Sequence, residues 1–276
     1  MTSLVQISDT HFGTERPFVV DALIALVLEL RPSVIVLSGD ITQRARRSQF
    51  VKAAEFVRRL SAPAVLAIPG NHDIPLFDPF ARALFPYANY CQAFGRDLEP
   101  SFESSELLVL TVKTTRRARH KHGQVSSEQI ERVARRLSLA RRDQLRIVVT
   151  HQPVLVTRTE DEKNLLRGSE LAIPRWAESG ADLVLGGHIH LPYVRSLSER
   201  WGTLPRRAWA VQAGTAVSTR TRNGISNSVN VLHRVNAERC TVERWDYGQT
   251  TGTFERIERH ELELDRRTTL RPSTPE

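Results

Sequence analysis

Five short apolar runs, at residues 4–7, 34–37, 65–68, 147–149 and 183–185, each end in residues that bend the chain or bind cations. Behind them come Asp9-Thr10-His11, Gly39-Asp40, Gly70-Asn71-His72-Asp73, His151 and Gly187-His188-Ile189-His190. Four of these runs are apolar at every position and the first at all but Gln6, a pattern that reads as strands buried on both faces. Between the first three lie two stretches with helical spacing. One carries Val19, Leu23, Leu26, Val27 and Leu30 behind Pro17, and the other carries Phe50, Val51, Ala54, Val57 and Leu60. This βαβαβ opening predicts an α/β fold with parallel strands and crossover helices. In such sheets, site groups gather at the carboxyl ends of the strands.

Asp9, His11, Asp40, Asn71, His151, His188 and His190 form a mixed oxygen and nitrogen donor set, which suits divalent transition metals. They are too many for one ion and suit two. Two ions about 3.5–4 Å apart are a common device for in-line attack on phosphorus. The spacing therefore points to hydrolysis of a phosphate ester. Extended backbone projects residues i and i+2 to the same side, so Asp9 with His11, and His188 with His190, are expected to grip an ion from one strand end. Gly39, Gly70, Gly186 and Gly187 permit tight turns and close backbone approach. Each piece alone has an ordinary reading. Asp40 could be a turn residue or helix cap, Asn71 a turn residue, and His151 a satisfied buried histidine. The recurrence at five strand ends argues for one site.

The chain of 276 residues is 40% hydrophobic and 25% charged, a globular composition large enough for a substantial core. No apolar run approaches the roughly 20 residues of a membrane span, and no signal-peptide pattern stands at the start. With only Cys91 and Cys240, a cytoplasmic protein is expected. The net charge of +8 comes from arginine, with basic runs at 44–47 and 116–122. Arg44, Arg46 and Arg47 follow Asp40 closely and are expected to rim the site and attract anionic substrate. The alternative is a solvated surface. Neither run interleaves aromatics, as a nucleic-acid surface often does. Residues 75–100, rich in proline and aromatics, lack periodicity, which leaves a lid and a packing surface both open. Strand 107–112 follows, then a helix from Ser126 with a capping box to Gln129. Another helix is expected around 174–178. Short strands at 193–197, 208–212, 228–235, 241–246 and 254–264 are expected to form a second sheet packed on the first. One domain spans 1–264, with a fraying polar tail at 265–276.

The order D-x-H, G-D, G-N-H-D, H, G-H-x-H resembles the calcineurin-like metallophosphoesterase superfamily. Ile7 to His11, Gly39 to Thr42 and Gly70 to Asp73 look most like the bacterial class III cyclic-nucleotide phosphodiesterases. The resemblance implies a four-layer αββα sandwich of two mixed sheets flanked by helices, with a dinuclear metal site at the strand ends. It implies that Asp9, His11 and His190 hold one metal, and that Asn71, His151 and His188 hold the other. Asp40 would bridge them, His72 would reach the phosphate, and a metal-bridging water would attack. The ions implied are Mn²⁺, Fe²⁺/Fe³⁺ or Zn²⁺. The implied activity is a metal-dependent phosphodiesterase for a small anionic phosphodiester, 3',5'-cyclic nucleotides included. A nuclease of the same superfamily and a non-catalytic regulatory protein are the alternatives, and a homodimer is compatible with each. Gln43 stands where many relatives pair an aspartate with the phosphate-binding histidine. Gln152 stands where the cyclic-nucleotide enzymes often carry a second histidine.

Overall fold

The computed structural model describes residues 2–222 and 224–266. The opening runs as expected: β1 (Ser3–Ile7), α1 (Pro17–Leu30), β2 (Val34–Leu37), α2 (Arg47–Arg59) and β3 (Val65–Ala67). Pro17 sits in the first turn of α1, where its missing N–H costs nothing. The 75–100 segment holds two short helices, α3 (Pro79–Leu84) and α4 (Ala88–Phe94). Then come β4 (Ser101–Glu103), β5 (Leu107–Thr111), α5 (Ser127–Ser138), β6 (Leu145–Val149), α6 (Ser169–Ser179) and β7 (Leu183–Gly186). The capping box forms: Ser126 Oγ accepts from the Gln129 N–H at 3.2 Å, and Gln129 Oε1 from the Ser126 N–H at 3.0 Å. The chain closes with β8 (Tyr193–Ser196), α7 (Ser198–Trp201), β9 (Trp209–Gln212), β10 (Ser228–Arg234), β11 (Arg239–Tyr247) and β12 (Phe254–Glu263).

These strands make two six-stranded mixed sheets, ordered β12-β11-β10-β1-β2-β3 and β4-β5-β6-β7-β9-β8. The late strands do not form a sheet of their own, as the sequence reading expected. β8 and β9 extend the second sheet, whereas β10 pairs antiparallel with β1 and carries β11 and β12 into the first. Alternation sorts each strand between two layers. Leu4, Val34, Val36, Ile147, Val149 and Leu185 fill the space between the sheets. Val5, Ile7, Ile35 and Leu37 face outward, where Leu23, Val27, Phe50 and Phe56 of α1 and α2 cover them. Leu108, Leu110, Val148 and Val184 face α5 and α6 through Ile130, Val133, Leu137 and Trp176. Apolar runs at every position thus follow from covered faces on both sides.

Gln6 is a polar exception, fully buried between the sheets. Its Nε2 donates to Ser38 Oγ at 3.1 Å and to the Gly186 carbonyl at 2.9 Å, and its Oε1 accepts from Asn230 at 2.9 Å. It ties the two sheets together directly beneath the strand ends. Among the described residues, no helix is long and apolar enough to cross a membrane. Arg266, within the tail expected from residue 265, pairs with Asp182 at 2.9 Å. Residues 267–276 of that tail lie outside the described residues.

Candidate metal centre

The ends of β1, β2 and β3 from one sheet and of β6 and β7 from the other converge. Three groups of side chains there have ligand atoms all within 4.8 Å of one another: Asp9, His11 and His190; Asp40, His151 and His188; and His11, Asp40 and His72. The first brings together the residues that the resemblance implies for one metal; the second joins His151 and His188 of the other set to Asp40, and Asn71 lines the same cleft as Asp40 and His188.

The backbone reaches this arrangement differently from the extended geometry expected. Asp9, His11, Asp40, His188 and His190 have φ between 43° and 73°, in the left-handed region. They are five of the eight described non-glycine residues with positive φ. Such positions cost about 1–3 kcal/mol each and persist where surrounding structure holds them. Asn71 to Asp73 form a single 3₁₀ turn rather than an extended one. The glycines act as expected. A Cβ at Gly70 would lie 2.1 Å from the Asp40 nitrogen, and one at Gly187 2.1 Å from Ser8 Oγ.

Hydrogen bonds aim each donor inward. Asp9 Oδ2 accepts from Ser8 Oγ at 2.6 Å and from the His188 N–H at 2.9 Å, which leaves Oδ1 facing His190 Nε2 at 3.2 Å. A carbonyl only accepts, so a ring nitrogen beside one carries the proton. His151 Nδ1 donates to the Ser38 carbonyl at 2.9 Å, and His190 Nδ1 to the Arg220 carbonyl at 2.6 Å. Each leaves its Nε2 for the centre, the usual support for a metal-binding imidazole. Asn71 Oδ1 and His188 Nδ1 are buried without a hydrogen-bond partner. Such atoms cost about 1–3 kcal/mol each unless something satisfies them. A cation would satisfy both, so the residues present fit a metal.

The electrostatics suit the same occupant. Burial pushes the Asp9 carboxyl up, but His190 outweighs it and holds the group at about 2. Burial likewise opposes ionisation of Asp40, yet His151 and His72 hold it well below the usual carboxylate range. Burial lowers His11 to about 3 and, with the charge of His151, lowers His188 to about 4. Charged carboxylates and the neutral imidazoles of His11 and His188 are the ligand forms a metal requires, whereas His151 and His190, despite burial, are raised by Asp40 and Asp9 and would give up a proton to a metal.

His72 stands at the edge, half-buried, its ring 4.9 Å from that of His11. Its N–H donates to Asp40 Oδ1 at 2.8 Å and its Nδ1 to the Gln43 carbonyl at 2.9 Å. The Gln43 side chain instead accepts from Arg220. Gln152 points away from the centre, accepting from Thr114 Oγ1 at 2.5 Å and donating to the Lys121 carbonyl at 3.3 Å. It thereby anchors the basic loop, whose Lys121 lines the cleft. That cleft, about 300 Å³, is also lined by Asp161, Asn164, Arg220 and Arg222. Of these five, Lys121 alone lies in a stretch singled out from the sequence, the basic run 116–122; no motif or periodicity marks the other four. The 44–47 run is absent from the lining.

Two facing mixed sheets with histidines, carboxylates and an amide at one edge define an α/β sandwich with a candidate metal centre. The chain belongs to the calcineurin-like phosphoesterase family, whose model matches residues 2–192. No curated protein sequence matches it. Among solved structures it resembles purple acid phosphatase PPD1 from yellow lupin seeds, with TM-score 0.67, 11% identity and 96% of this chain covered. The chain spans about half of that enzyme, 54% of its length. It also resembles a dimetal phosphatase from Danio rerio, with TM-score 0.66, 15% identity, and 96% and 99% of the two chains covered. Vps29 from Chaetomium thermophilum follows, with TM-score 0.50, 12% identity, and 99% and 98% covered. At these identities the likenesses speak to the fold.

Proposed function

We propose that this protein is a dinuclear metal-dependent phosphodiesterase acting on small anionic phosphodiesters, with 3',5'-cyclic nucleotides the first to try. The observation that carries the reading is two neighbouring buried donor clusters, Asp9 with His11 and His190 and Asp40 with His151 and His188, with Asp40 also within reach of His11. Asp9, His11 and His190 would hold one ion, and Asn71, His151 and His188 the other, with Asp40 shared. Mn²⁺, iron and Zn²⁺ all accept this donor set. Bound there, two divalent cations supply an acidified water and offset the charge of the phosphate.

The protein's own groups then position the ester. Asp40 is fixed by the His72 N–H, and His72 is fixed by the Gln43 carbonyl. Half-buried His72 lines the cleft beside Asp40, Asn71, His188 and His190, and from there it would meet the phosphate. The free thiols of Cys91 and Cys240 suit a reducing cytoplasm.

The test is hydrolysis of bis(p-nitrophenyl) phosphate by protein loaded with Mn²⁺, then stripped with chelator, then reloaded. Turnover that appears, vanishes and returns supports the reading. Failure to turn over any phosphodiester while both metal equivalents are bound would leave the non-catalytic alternative.

A further inference from the structure

Arg220 lies in a stretch of small polar residues after β9, and its main chain is locked to the centre. Its carbonyl accepts from His190 Nδ1 at 2.6 Å. Its side chain then turns back over the cleft. Nη1 lies 3.0 Å from Gln43 Oε1 and 3.2 Å from His72 Nε2. The His72 Nδ1 proton is committed to the Gln43 carbonyl, so in the neutral ring Nε2 is an acceptor and the guanidinium donates to it. Gln43 therefore acts twice: its carbonyl orients the imidazole, and its side chain orients the guanidinium.

Neither acceptor is a carboxylate. Arg222, two residues on, is by contrast paired with Asp161 at 2.9 Å and Glu160 at 2.8 Å. Both arginines line the cleft, but only Arg222 has its charge offset by carboxylates among the described ion pairs. The contacts of Arg220 use Nη1, which leaves the Nη2 and Nε edge of the planar fork for a ligand. That edge matches two oxygens of a phosphate.

We propose that Arg220 is a substrate-binding residue whose free guanidinium edge takes non-bridging phosphate oxygens beside the metal centre, held in place by Gln43 and His72. The identity of the ligand rests on the phosphoesterase reading. The position and uncompensated charge do not.

The experiment uses full-length, metal-loaded protein and inorganic phosphate as the probe. Arg220→Met keeps the backbone carbonyl that supports His190 and removes the charge. Metal content is measured by mass spectrometry, phosphate affinity by calorimetry, and kcat and KM with bis(p-nitrophenyl) phosphate. Arg220→Met is expected to retain the wild-type metal content and to bind phosphate about 10- to 100-fold more weakly, the scale of one charge-assisted hydrogen bond. Arg220→Lys should recover part of that loss. Gln43→Glu should weaken phosphate binding with Arg220 intact, because the new carboxylate offsets the guanidinium. Unchanged phosphate affinity in Arg220→Met overturns the proposal. So does a loss of metal that Arg220→Lys fails to restore, since that marks a purely structural role. Wild-type protein that binds phosphate through Arg220 yet hydrolyses no ester would sink the catalytic reading and leave this one standing.

Discussion

Asp73 holds Thr42 by two bonds from one carboxylate oxygen: Oδ1 accepts from the Thr42 N–H at 2.7 Å and from its hydroxyl at 2.8 Å. Oδ2 accepts from the Ile41 and Gly70 N–H groups, each at 2.9 Å. The turn after β3 thus clamps the turn after β2, and the clamp sets Asn71 against Asp40. Asp73 is 1% exposed, so water cannot replace these bonds.

Asp73→Ala should therefore destabilise the fold by roughly 3 kcal/mol or more, because each buried donor left without an acceptor costs about 1–3 kcal/mol. Asp73→Asn, which keeps one acceptor oxygen, should lose less. Urea denaturation gives the comparison. A midpoint for Asp73→Ala equal to that of wild type would show that the clamp carries no weight.

Asp40 belongs to two of the three donor groups, and it sits 3.2 Å from His151 Nε2 and 3.9 Å from His11 Nε2. Asp40→Ala should abolish most turnover and lower the bound-metal count, since Asp40 would be the ligand shared by both ions. Elemental analysis of the purified variant checks this. Two full equivalents of metal with normal turnover would rule out a shared ligand.

The strands were legible because a strand covered on both faces is written as an unbroken apolar run, as in Val34 to Leu37. The candidate ligands stood out because they recur behind those runs. Their backbone geometry did not, since spacing alone does not distinguish an extended pair from the left-handed turns at Asp9 and His11. Sheet membership of the late strands was hidden for another reason. β10 finds β1 across more than 220 residues, as in the Leu4 to Leu232 register, and local periodicity carries no trace of that partner. Arg220 was hidden in the same way. Its partners Gln43 and His72 lie 177 and 148 residues away.

The basic run after Asp40 supplies a contrast. The Arg44 guanidinium lies over the Phe77 ring at 4.9 Å, and Arg47 borders a groove with Phe50 and Val51. The cleft takes its basic groups from Lys121, Arg220 and Arg222 instead. Neutralising Arg44, Arg46 and Arg47 together should leave KM for an anionic phosphodiester nearly unchanged. Lys121→Ala should raise KM at low salt with little change in kcat, because a rim charge binds ground and transition states alike. The Lys121 effect should fade above about 0.15 M salt, where exposed charges are screened within about 8 Å. A KM that responds to the 44–47 run and not to Lys121 would restore the reading based on closeness in sequence.

His151 and Asp9 set how the metal-free protein meets a metal as pH changes. Burial alone would lower His151, but the charge and hydrogen bond of Asp40 raise it to about 9. Its folded value lies above the ordinary value near 6.5, so its stabilising contribution is full below that pH and is lost as pH rises through 9. Asp9, held at about 2, has the opposite sense: its contribution is present above the ordinary value near 3.8 and is lost as pH falls through 2. A metal needs the His151 lone pair, and at pH 7 the metal-free ring carries a proton there. Loading Mn²⁺ at pH 7 should therefore release at least one proton, and metal affinity should climb as pH rises towards 9. Calorimetric titration in two buffers of different ionisation enthalpy reads the proton count directly. Equal heats in the two buffers, with an affinity flat between pH 7 and pH 9, would show that His151 is not displaced from Asp40 by the metal.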